Sequence, residues 1–349
     1  MTTATTNLNY KHLDYTSDSV EFYPNQNNLF VCGTYEIEKG DTEYKERRKG
    51  KLYLFEIEEP SQGNEELPNF KETQSINYNS GILDMKWNKS GEQLGVVMSR
   101  GELNIYNFKQ QEKQLELLKS SEISLDSGIL SLSLDWNVSG SKVIVSFSDG
   151  KVGIFDVNSL DNAISRWKAH DYEAWICAFN YHNESIVFSG GDDCKFKIWD
   201  TRIAVEENDN APMNTITKKC DMGVTSIHCH PSMENIVAVG SYDECLRIWD
   251  LRSMRQPLVQ TDSLGGGVWR VKWHPYNKNQ LVTACMGGGF HVLESESEND
   301  FSTLQVINSY EGPHKSIAYG VDWSYNKNND KQHIGCCSFY DKCLSIWNP

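Results

Sequence analysis

Short runs of alternating apolar and polar residues recur along this chain, with glycine, asparagine, aspartate or serine at their ends. The run KFKIWD, which ends at Asp200, is one example of this pattern. A period of two residues is typical of a half-buried β-strand. The chain also contains 10 tryptophans and 16 tyrosines, which favour strands. The pattern therefore predicts an all-β protein made of many short strands.

Several of these runs are copies of one another. SGGDDCKFKIWD (Ser189–Asp200), GSYDECLRIWD (Gly240–Asp250) and SFYDKCLSIW (Ser338–Trp347) each carry an aspartate six residues before a tryptophan. SFSDGKVGIFD (Ser146–Asp156) is a weaker copy, with Phe155 in place of the tryptophan. Self-similarity at a regular spacing predicts a repeat architecture.

A second recurring run lies upstream in each repeat and occurs seven times. Its copies are SVEF (Ser19–Phe22), ILDMKW (Ile82–Trp87), SLSLDW (Ser131–Trp136), AWICAF (Ala174–Phe179), VTSIHC (Val224–Cys229), VWRVKW (Val268–Trp273) and AYGVDW (Ala318–Trp323). The repeats resemble the WD-repeat family, in which each repeat forms one four-stranded blade. We therefore predict a single seven-bladed WD-repeat β-propeller over residues 1–349. The predicted blades are 17–80, 81–127, 128–170, 171–222, 223–265, 266–313, and 314–349 together with 8–15.

The final repeat lacks an outer strand, because only two residues follow Trp347. The stretch Leu8–Tyr15 precedes the first complete repeat and is otherwise unassigned. Pairing this stretch with the last blade would close the ring and cover an edge that could template aggregation. We predict that an N-terminal strand closes the propeller.

Composition narrows the choice of partners and compartment. The net charge of −15 leaves no basic excess for a nucleic acid, whereas an acidic surface attracts cations. The chain shows neither a signal peptide nor an apolar run near the roughly 20 residues that span a membrane. Most of the 10 cysteines lie in apolar runs, as expected of buried, reduced thiols. We expect a monomeric cytoplasmic protein without disulfides.

Most conspicuous polar residues have a structural explanation. In WD repeats the turn aspartate pairs with a histidine that precedes the innermost strand, as we expect for His170 with Asp193 and His314 with Asp341. Arg100 and Met286 replace that aspartate in blades 2 and 6, so those turns need another support, such as the glycines at 287–289. His228 and Cys229 alternate along a strand and should point to opposite faces, so we predict no metal site there. No cofactor-binding motif is found either.

One end of the predicted ring gathers aromatic and acidic side chains. These side chains lie at the start of the innermost strands or directly before the turn aspartates. They are Trp175, Tyr242, Trp269, Tyr319 and Tyr340, with the carboxylates Glu173, Asp192 and Asp84. Any one of these aromatic rings could simply pack between blades. Together with the carboxylates, the group predicts a binding site.

From about Asp14 to Trp347 the chain resembles one branch of the WD-repeat family, the diphthine methylesterases, and ten strings carry the resemblance. The strings are YTSDSVEFYP, LFVCGTY, GKLYLF, ILDMKW, HDYEAW, SGGDD, GSYDE, GGGVWRVKWHP, HKSIAYGVDW and SFYD. The resemblance implies hydrolysis of the methyl ester of methylated diphthine on elongation factor 2, which yields diphthine and methanol. It implies this translation factor as the partner, other diphthamide-pathway proteins as further partners, and no cofactor.

The implied substrate carries a trimethylammonium group, and aromatic faces attract such cations. Trp175, Tyr242, Trp269, Tyr319, Tyr340 and Asp84 are therefore the predicted substrate-binding residues. Ester hydrolysis also needs a base for the attacking water and a donor for the oxyanion. Glu173 or Asp192 could be the base, and Arg270 could be the donor.

A non-enzymatic function remains the alternative. Trp199-Asp200-Thr201-Arg202 and Trp249-Asp250-Leu251-Arg252 match the WDxR box, which resembles that of propellers serving as substrate receptors of cullin-RING ubiquitin ligases. The simpler interpretation is that each arginine ends its strand with a solvated charge. Methanol release from methylated elongation factor 2 would separate the enzyme from the receptor.

Overall fold

The structure, a computed structural model, contains seven four-stranded antiparallel sheets. It describes residues 9–38, 47–58, 69–124, 126–203, 212–216, 219–297, 300–327 and 332–349. These residues form strands, turns and loops, and no helix that could span a membrane occurs among them. The predicted all-β, seven-bladed propeller is confirmed.

Blades 1 to 4 follow one another along the chain, each with its innermost strand first. Blade 1 contains β2 (Thr16–Phe22), β3 (Leu29–Glu38), β4 (Arg47–Glu58) and β5 (Asn69–Tyr78). Blade 2 contains β6 (Ile82–Trp87), β7 (Gln93–Met98), β8 (Glu102–Lys109) and β9 (Gln114–Glu122). Blade 3 contains β10 (Ser131–Trp136), β11 (Lys142–Phe147), β12 (Lys151–Asp156) and β13 (Ser159–Lys168). Blade 4 contains β14 (Ile176–Phe179), β15 (Ile186–Gly190), β16 (Phe196–Asp200) and β17 (Asn214–Ile216).

Blades 5 and 6 repeat this order, and blade 7 combines both ends of the described chain. Blade 5 contains β18 (Val224–Cys229), β19 (Ile236–Ser241), β20 (Leu246–Asp250) and β21 (Val259–Gln260). Blade 6 contains β22 (Arg270–Trp273), β23 (Gln280–Ala284), β24 (Phe290–Glu294) and β25 (Gln305–Tyr310). Blade 7 contains β26 (Ala318–Trp323), β27 (Ile334–Ser338), β28 (Cys343–Trp347) and β1 (Asn9–His12).

The ring closes through the N-terminal strand. β1 pairs antiparallel with β28, with Asn9 opposite Ile346. The backbone N–H of Leu13 extends this pairing by donating to the Lys342 carbonyl over 2.9 Å, and the Leu13 side chain is buried between blades 7 and 1. The predicted closing strand therefore covers the outer edge of the last blade.

Side chains on the innermost strands fasten four of the blades to the next one in the ring. Asp84 Oδ2 in blade 2 accepts the Leu134 N–H of blade 3 over 3.1 Å, and Asp135 Oδ2 accepts the Phe179 N–H over 2.9 Å. The same role is played by Asp322 toward Phe22, Ser133 toward Cys177, Ser226 toward Val271 and His228 toward Trp273. Buried backbone donors need such acceptors, so these polar side chains belong to the scaffold.

Blade 4 contains the expected histidine–aspartate pair. His170 donates from Nδ1 to Asp193 Oδ1 over 2.8 Å, while its Nε2 lies 2.8 Å from Ser189 Oγ. Trp199 completes the network by donating from Nε1 to the same serine oxygen over 2.9 Å. Burial opposes the ionisation of Asp193, but the hydrogen bond and charge of His170, the Asp171 N–H and the charge of Lys197 together lower the pKa of Asp193 to about 2. The network ties the turn to the sheet.

The direct pairing that we expected between His314 and Asp341 is wrong, because a serine lies between them. His314 Nδ1 is 2.6 Å from Ser338 Oγ, and that hydroxyl donates to Asp341 Oδ1 over 2.6 Å. In blade 6 the turn at Met286 relies instead on glycine, as expected. Gly289 adopts a positive φ of 80°, and its carbonyl accepts the Cys285 N–H over 2.8 Å.

Two histidines close the turns that follow the innermost strands of blades 5 and 6. His274 Nδ1 accepts the backbone N–H groups of Tyr276 and Asn277, and His230 Nδ1 does the same for the two equivalent residues in its turn. Burial lowers the pKa of both His230 and His274 to about 4. In blade 4, Asn180 Oδ1 accepts the equivalent pair of N–H groups. The imidazoles thus act as neutral acceptors.

We expect the protein to lose stability as the pH falls from about 6.5 toward 4. In this range the unfolded chain, with a histidine pKa of about 6.5, binds protons that folded His230 and His274 cannot accept. Denaturant unfolding at pH 7 and pH 5 measures the loss. His274→Asn keeps an acceptor of the kind that Asn180 provides, so this variant should lose less stability between the two pH values. An identical pH slope in parent and variant would contradict this account.

Candidate functional site

Each blade contributes one side chain to a ring at one mouth of the central channel. In five blades this side chain comes from a β-bulge, where the register of the innermost strand shifts by one residue. In blades 4 and 6 it comes from the residue directly before β14 and β22. The mouth ring consists of Asp18, Leu83, Leu132, Trp175, Thr225, Trp269 and Tyr319. All seven residues line one cavity of about 340 Å³, which we call the mouth cavity. Bulges often re-aim side chains in this way beside active sites.

The aromatic members of the site form a continuous wall. Trp269 is at its centre: it stacks on Tyr319 with ring centroids 4.6 Å apart, and it contacts Trp175 at 5.8 Å and Tyr242 at 5.7 Å. All four rings are partly exposed and line the mouth cavity. Four of the five predicted aromatic residues are therefore brought together.

Tyr340 is the exception, and its predicted position at the cavity is wrong. Its side chain is 71% exposed, and it does not belong to the cavity lining. The neighbouring Phe339 takes the inward position instead, with its ring 5.0 Å from Tyr319 and 4.9 Å from Tyr35. The turn therefore directs Tyr340 outward to the rim.

The two predicted acids differ in their access to the cavity. Glu173 is partly buried and lines the cavity wall. Asp192 is exposed, and its Oδ1 accepts the indole N–H of Trp175 over 3.0 Å. Asp192 therefore orients an aromatic ring of the wall and stands outside the lining.

Arg270 and Asp84 form a buried ion pair beneath the mouth ring. Arg270 lines the floor of the cavity, and its guanidinium lies 3.2 Å from Asp84 Oδ1. Asp84 is fully buried and fastens blade 2 to blade 3, so its predicted position at the mouth is wrong. The bulge at Leu83 explains the difference, because it places Leu83 in the ring and Asp84 one level deeper.

Sequence reasoning missed Asp18, the one carboxylate of the mouth ring. Asp18 is 3% exposed and lies at the bulge of β2, between Ser17 and Ser19. Its Oδ2 has no hydrogen-bond partner among the residues that the structure describes. Burial raises the pKa of this carboxyl well above its usual value, against the opposing effect of Arg270. Asp18 directly precedes the SVEF run in the sequence. It would have indicated a carboxylate at the mouth only if the bulge in this strand had been recognised.

A second cavity of about 350 Å³ opens at the other end of the channel. Trp87, Trp136 and Trp273 line it together with Asp135 and His228. The indoles of Trp136 and Trp273 donate to backbone carbonyls of the preceding blade, and Asp135 and His228 accept backbone N–H groups. Because these four polar groups already hold the scaffold, we place the functional site in the mouth cavity.

One group of potential metal ligands lies in blade 7, where its histidine is held by hydrogen bonds to serines. The potential ligand atoms of His314, Asp341 and Cys343 all lie within 4.8 Å of one another. However, His314 Nε2 is 2.7 Å from Ser345 Oγ, and His314 Nδ1 is 2.6 Å from Ser338 Oγ. Both imidazole nitrogens are therefore engaged within blade 7.

The arginines of the two WDxR boxes fold back onto their own strands. Arg202 lies 2.5 Å from Asp200, and Arg252 lies 2.7 Å from Asp250. Both arginine side chains are largely exposed, at 68% and 72%. The geometry fits the simpler interpretation of a solvated charge at the end of a strand.

Comparison with known proteins finds both the repeat and full-length relatives. The family model described as WD domain, G-beta repeat matches residues 162–200 and 211–250. The chain is 69% identical to a Dictyostelium discoideum protein named diphthine methyltransferase homolog, covering 98% of each chain. It is 36% identical to human diphthine methyltransferase over 89% of this chain and 73% of that protein. The Schizosaccharomyces pombe protein of that name is 30% identical over 96% of this chain and 95% of its own length.

A solved structure supports the fold alone. A chain in the crystal structure of a mitotic checkpoint complex superposes with a TM-score of 0.72 and 16% identity. The match covers 100% of this chain and 96% of that chain. The likeness extends over all seven blades.

Proposed function

This chain belongs to the diphthine methyltransferase family, and we propose that it acts in diphthamide biosynthesis by hydrolysing the methyl ester of methylated diphthine on elongation factor 2. The products would be diphthine and methanol. The observation that carries the proposal is the aromatic wall of the mouth cavity, with carboxylates beside it.

The wall suits the trimethylammonium group of the substrate. A quaternary ammonium cannot donate hydrogen bonds, so it is bound by aromatic faces and by negative charge. Trp269 presents its ring between Tyr319 and Trp175, and Glu173 adds a carboxylate to the same cavity. A group held there would lie inside the mouth, with the rest of the modified histidine leading out to the partner protein.

The floor of the cavity offers groups for the ester. Hydrolysis creates negative charge on the former carbonyl oxygen, and a fixed cation stabilises this charge. Arg270 lines the cavity floor and is held by Asp84, so its guanidinium is already oriented before substrate binds. The attacking water needs a carboxylate base, and Asp18 and Glu173 are the two carboxylates that line the cavity.

The names of the relatives refer to methyl transfer, whereas the proposed reaction removes a methyl group. The two directions leave different products on elongation factor 2. A transferase would add the mass of one CH₂ unit to the modified residue, and the esterase would remove it and release methanol. Mass spectrometry of the modified peptide therefore distinguishes the two reactions.

We expect the purified protein to release methanol from elongation factor 2 that carries methylated diphthine. The matched control is elongation factor 2 with diphthine whose carboxylate carries no methyl ester. This control offers the same trimethylammonium cation but no ester to hydrolyse. Methanol release with loss of one CH₂ unit from the peptide supports the proposal. Stable binding to a cullin-RING adaptor without any turnover would contradict it and support a substrate receptor.

A further inference from the structure

We propose that Asp18 is the general base that activates water for hydrolysis at the mouth cavity. The inference rests on the proposed function and assigns the base within that same site. It follows from the place of Asp18 in the mouth ring, from its unpaired carboxylate oxygen, and from its difference from every other acid on the innermost strands described above.

The order of residues around the ring places Asp18 at the end of the aromatic wall. Trp175, Trp269 and Tyr319 come from blades 4, 6 and 7, and Asp18 comes from blade 1, which adjoins blade 7. A cation resting on Trp269 and Tyr319 would therefore place the neighbouring part of the substrate next to Asp18. In the proposed substrate, the ester is attached to the carbon that bears the trimethylammonium group.

Asp18 differs from the other acids of the innermost strands. Asp84, Asp135 and Asp322 each accept a backbone N–H of the next blade, and Glu21 binds Lys272 over 2.5 Å. Asp18 Oδ2 makes no such contact with the described residues, although the residue is only 3% exposed. An unpaired buried carboxylate oxygen destabilises the fold, and such costs are typical of functional sites.

The surroundings of Asp18 make its carboxylate a stronger base than an ordinary aspartate. Burial raises its pKa well above the usual value, the charge of Arg270 lowers it, and the charge of Asp84 raises it further. The titratable or charged side chains of Tyr35, Arg48, Glu173, Tyr242 and Tyr319 line the same cavity, and the buried Cys337 thiol interacts electrostatically with Asp18. A carboxylate with a raised pKa accepts a proton from water more readily than an ordinary aspartate.

The step balances without a co-reactant. The carboxylate of Asp18 takes one proton from water as the water oxygen forms a bond to the ester carbon. The resulting oxyanion lies toward Arg270. When the intermediate collapses, the bond from the carbonyl carbon to the methoxy oxygen breaks, and Asp18 returns the proton to methoxide to give methanol. The carboxylic acid product then loses its own proton to solvent.

We expect Asp18→Asn to lower kcat for methanol release by about 10²–10⁴-fold, the usual contribution of a general base. Affinity for elongation factor 2 carrying diphthine without the methyl ester should not fall, because the aromatic wall is intact and the variant removes a negative charge beside the diphthine carboxylate. The melting temperature should be unchanged or higher, because the variant removes a desolvated carboxylate. The parental kcat should fall on acidification as the base is protonated, and the variant should lose this acidic limb.

Glu173→Gln is the matched control, since it neutralises the other carboxylate of the cavity in the same way. Its effect should fall mainly on KM through weaker attraction of the cation. Asp18→Ala assayed with formate is a second test, because formate can supply the missing carboxylate. Formate should restore part of the methanol release to Asp18→Ala and none to Glu173→Gln.

The outcomes separate this inference from the proposed function. A parent protein that releases no methanol contradicts the proposed function itself. An active parent together with a folded Asp18→Asn variant of parental kcat overturns the assignment of Asp18 and leaves the esterase intact. A large loss of kcat in Glu173→Gln alone would make Glu173 the base. If Asp18→Asn does not fold, absence of formate rescue in Asp18→Ala decides against Asp18.

Discussion

Deletion of residues 1–14 is expected to destabilise the protein by on the order of 5 kcal/mol and to cause aggregation. The deletion removes β1 and its pairing with β28, where backbone hydrogen bonds contribute about 1 kcal/mol each. It also removes Leu13 from the core between blades 7 and 1, worth about 2 kcal/mol. The exposed edge of β28 would then be free to pair with another chain. Thermal unfolding and light scattering measure the two effects.

Two controls test whether the strand itself is responsible. Deletion of residues 1–8 leaves all of β1 in place and should retain the parental melting temperature. Adding a synthetic peptide of residues 9–15 to the shortened protein should restore part of the lost stability, because the peptide can supply the missing strand. Equal melting temperatures for the parent and the 1–14 deletion would show that the ring does not depend on this strand.

Replacing Trp269 with alanine is expected to weaken binding of the modified elongation factor by about thirtyfold. Trp269 is the centre of the aromatic wall and contacts Trp175, Tyr242 and Tyr319. A desolvated cation against such a ring gains ~2 kcal/mol or more, and each 1.4 kcal/mol corresponds to a factor of ten. The affinity for elongation factor 2 that carries diphthine without the methyl ester measures the loss of binding, because this form cannot be hydrolysed.

Comparing two substitutions of Trp269 tests whether the aromatic face itself binds the cation. Trp269→Phe keeps a smaller aromatic face and should bind more tightly than Trp269→Ala. Tyr276→Ala is the matched control, because Tyr276 follows the far end of the same innermost strand and is 38% exposed. Parental affinity in a folded Trp269→Ala variant would mean that the cation binds elsewhere on the protein.

The fold was predictable because its signals are local and repeated. The aspartate six residues before a tryptophan marks the same turn in blades 4, 5 and 7, and the alternating runs mark the strands. Seven weak copies reinforce one another. The number of blades could therefore be predicted correctly although blade 6 has Met286 in place of the turn aspartate. The unpaired last repeat was also visible in the sequence, and the need to cover its edge indicated the closing strand.

The site was predictable only in part, because single-residue shifts in register decide which side chain reaches the mouth. The bulge at Leu83 puts Asp84 one level below the ring, and the turn at Phe339 moves Tyr340 outward. The same kind of bulge brings Asp18 into the ring. Strict alternation assigns the wrong face after such a shift, and an innermost strand of four to seven residues gives too short a pattern to reveal it.

The pairing of the first strand with the last also dictates the order of events during synthesis. His12 and its partner carbonyl at Asp341 are 329 residues apart, so β1 leaves the ribosome long before β28 exists. At roughly 5–20 residues per second, the wait lasts on the order of tens of seconds. Blades 1 to 6 can form in turn during this time, whereas blade 7 must wait for the final strands. A nascent chain therefore carries one unpaired strand for most of its translation, when chaperone binding would protect it best.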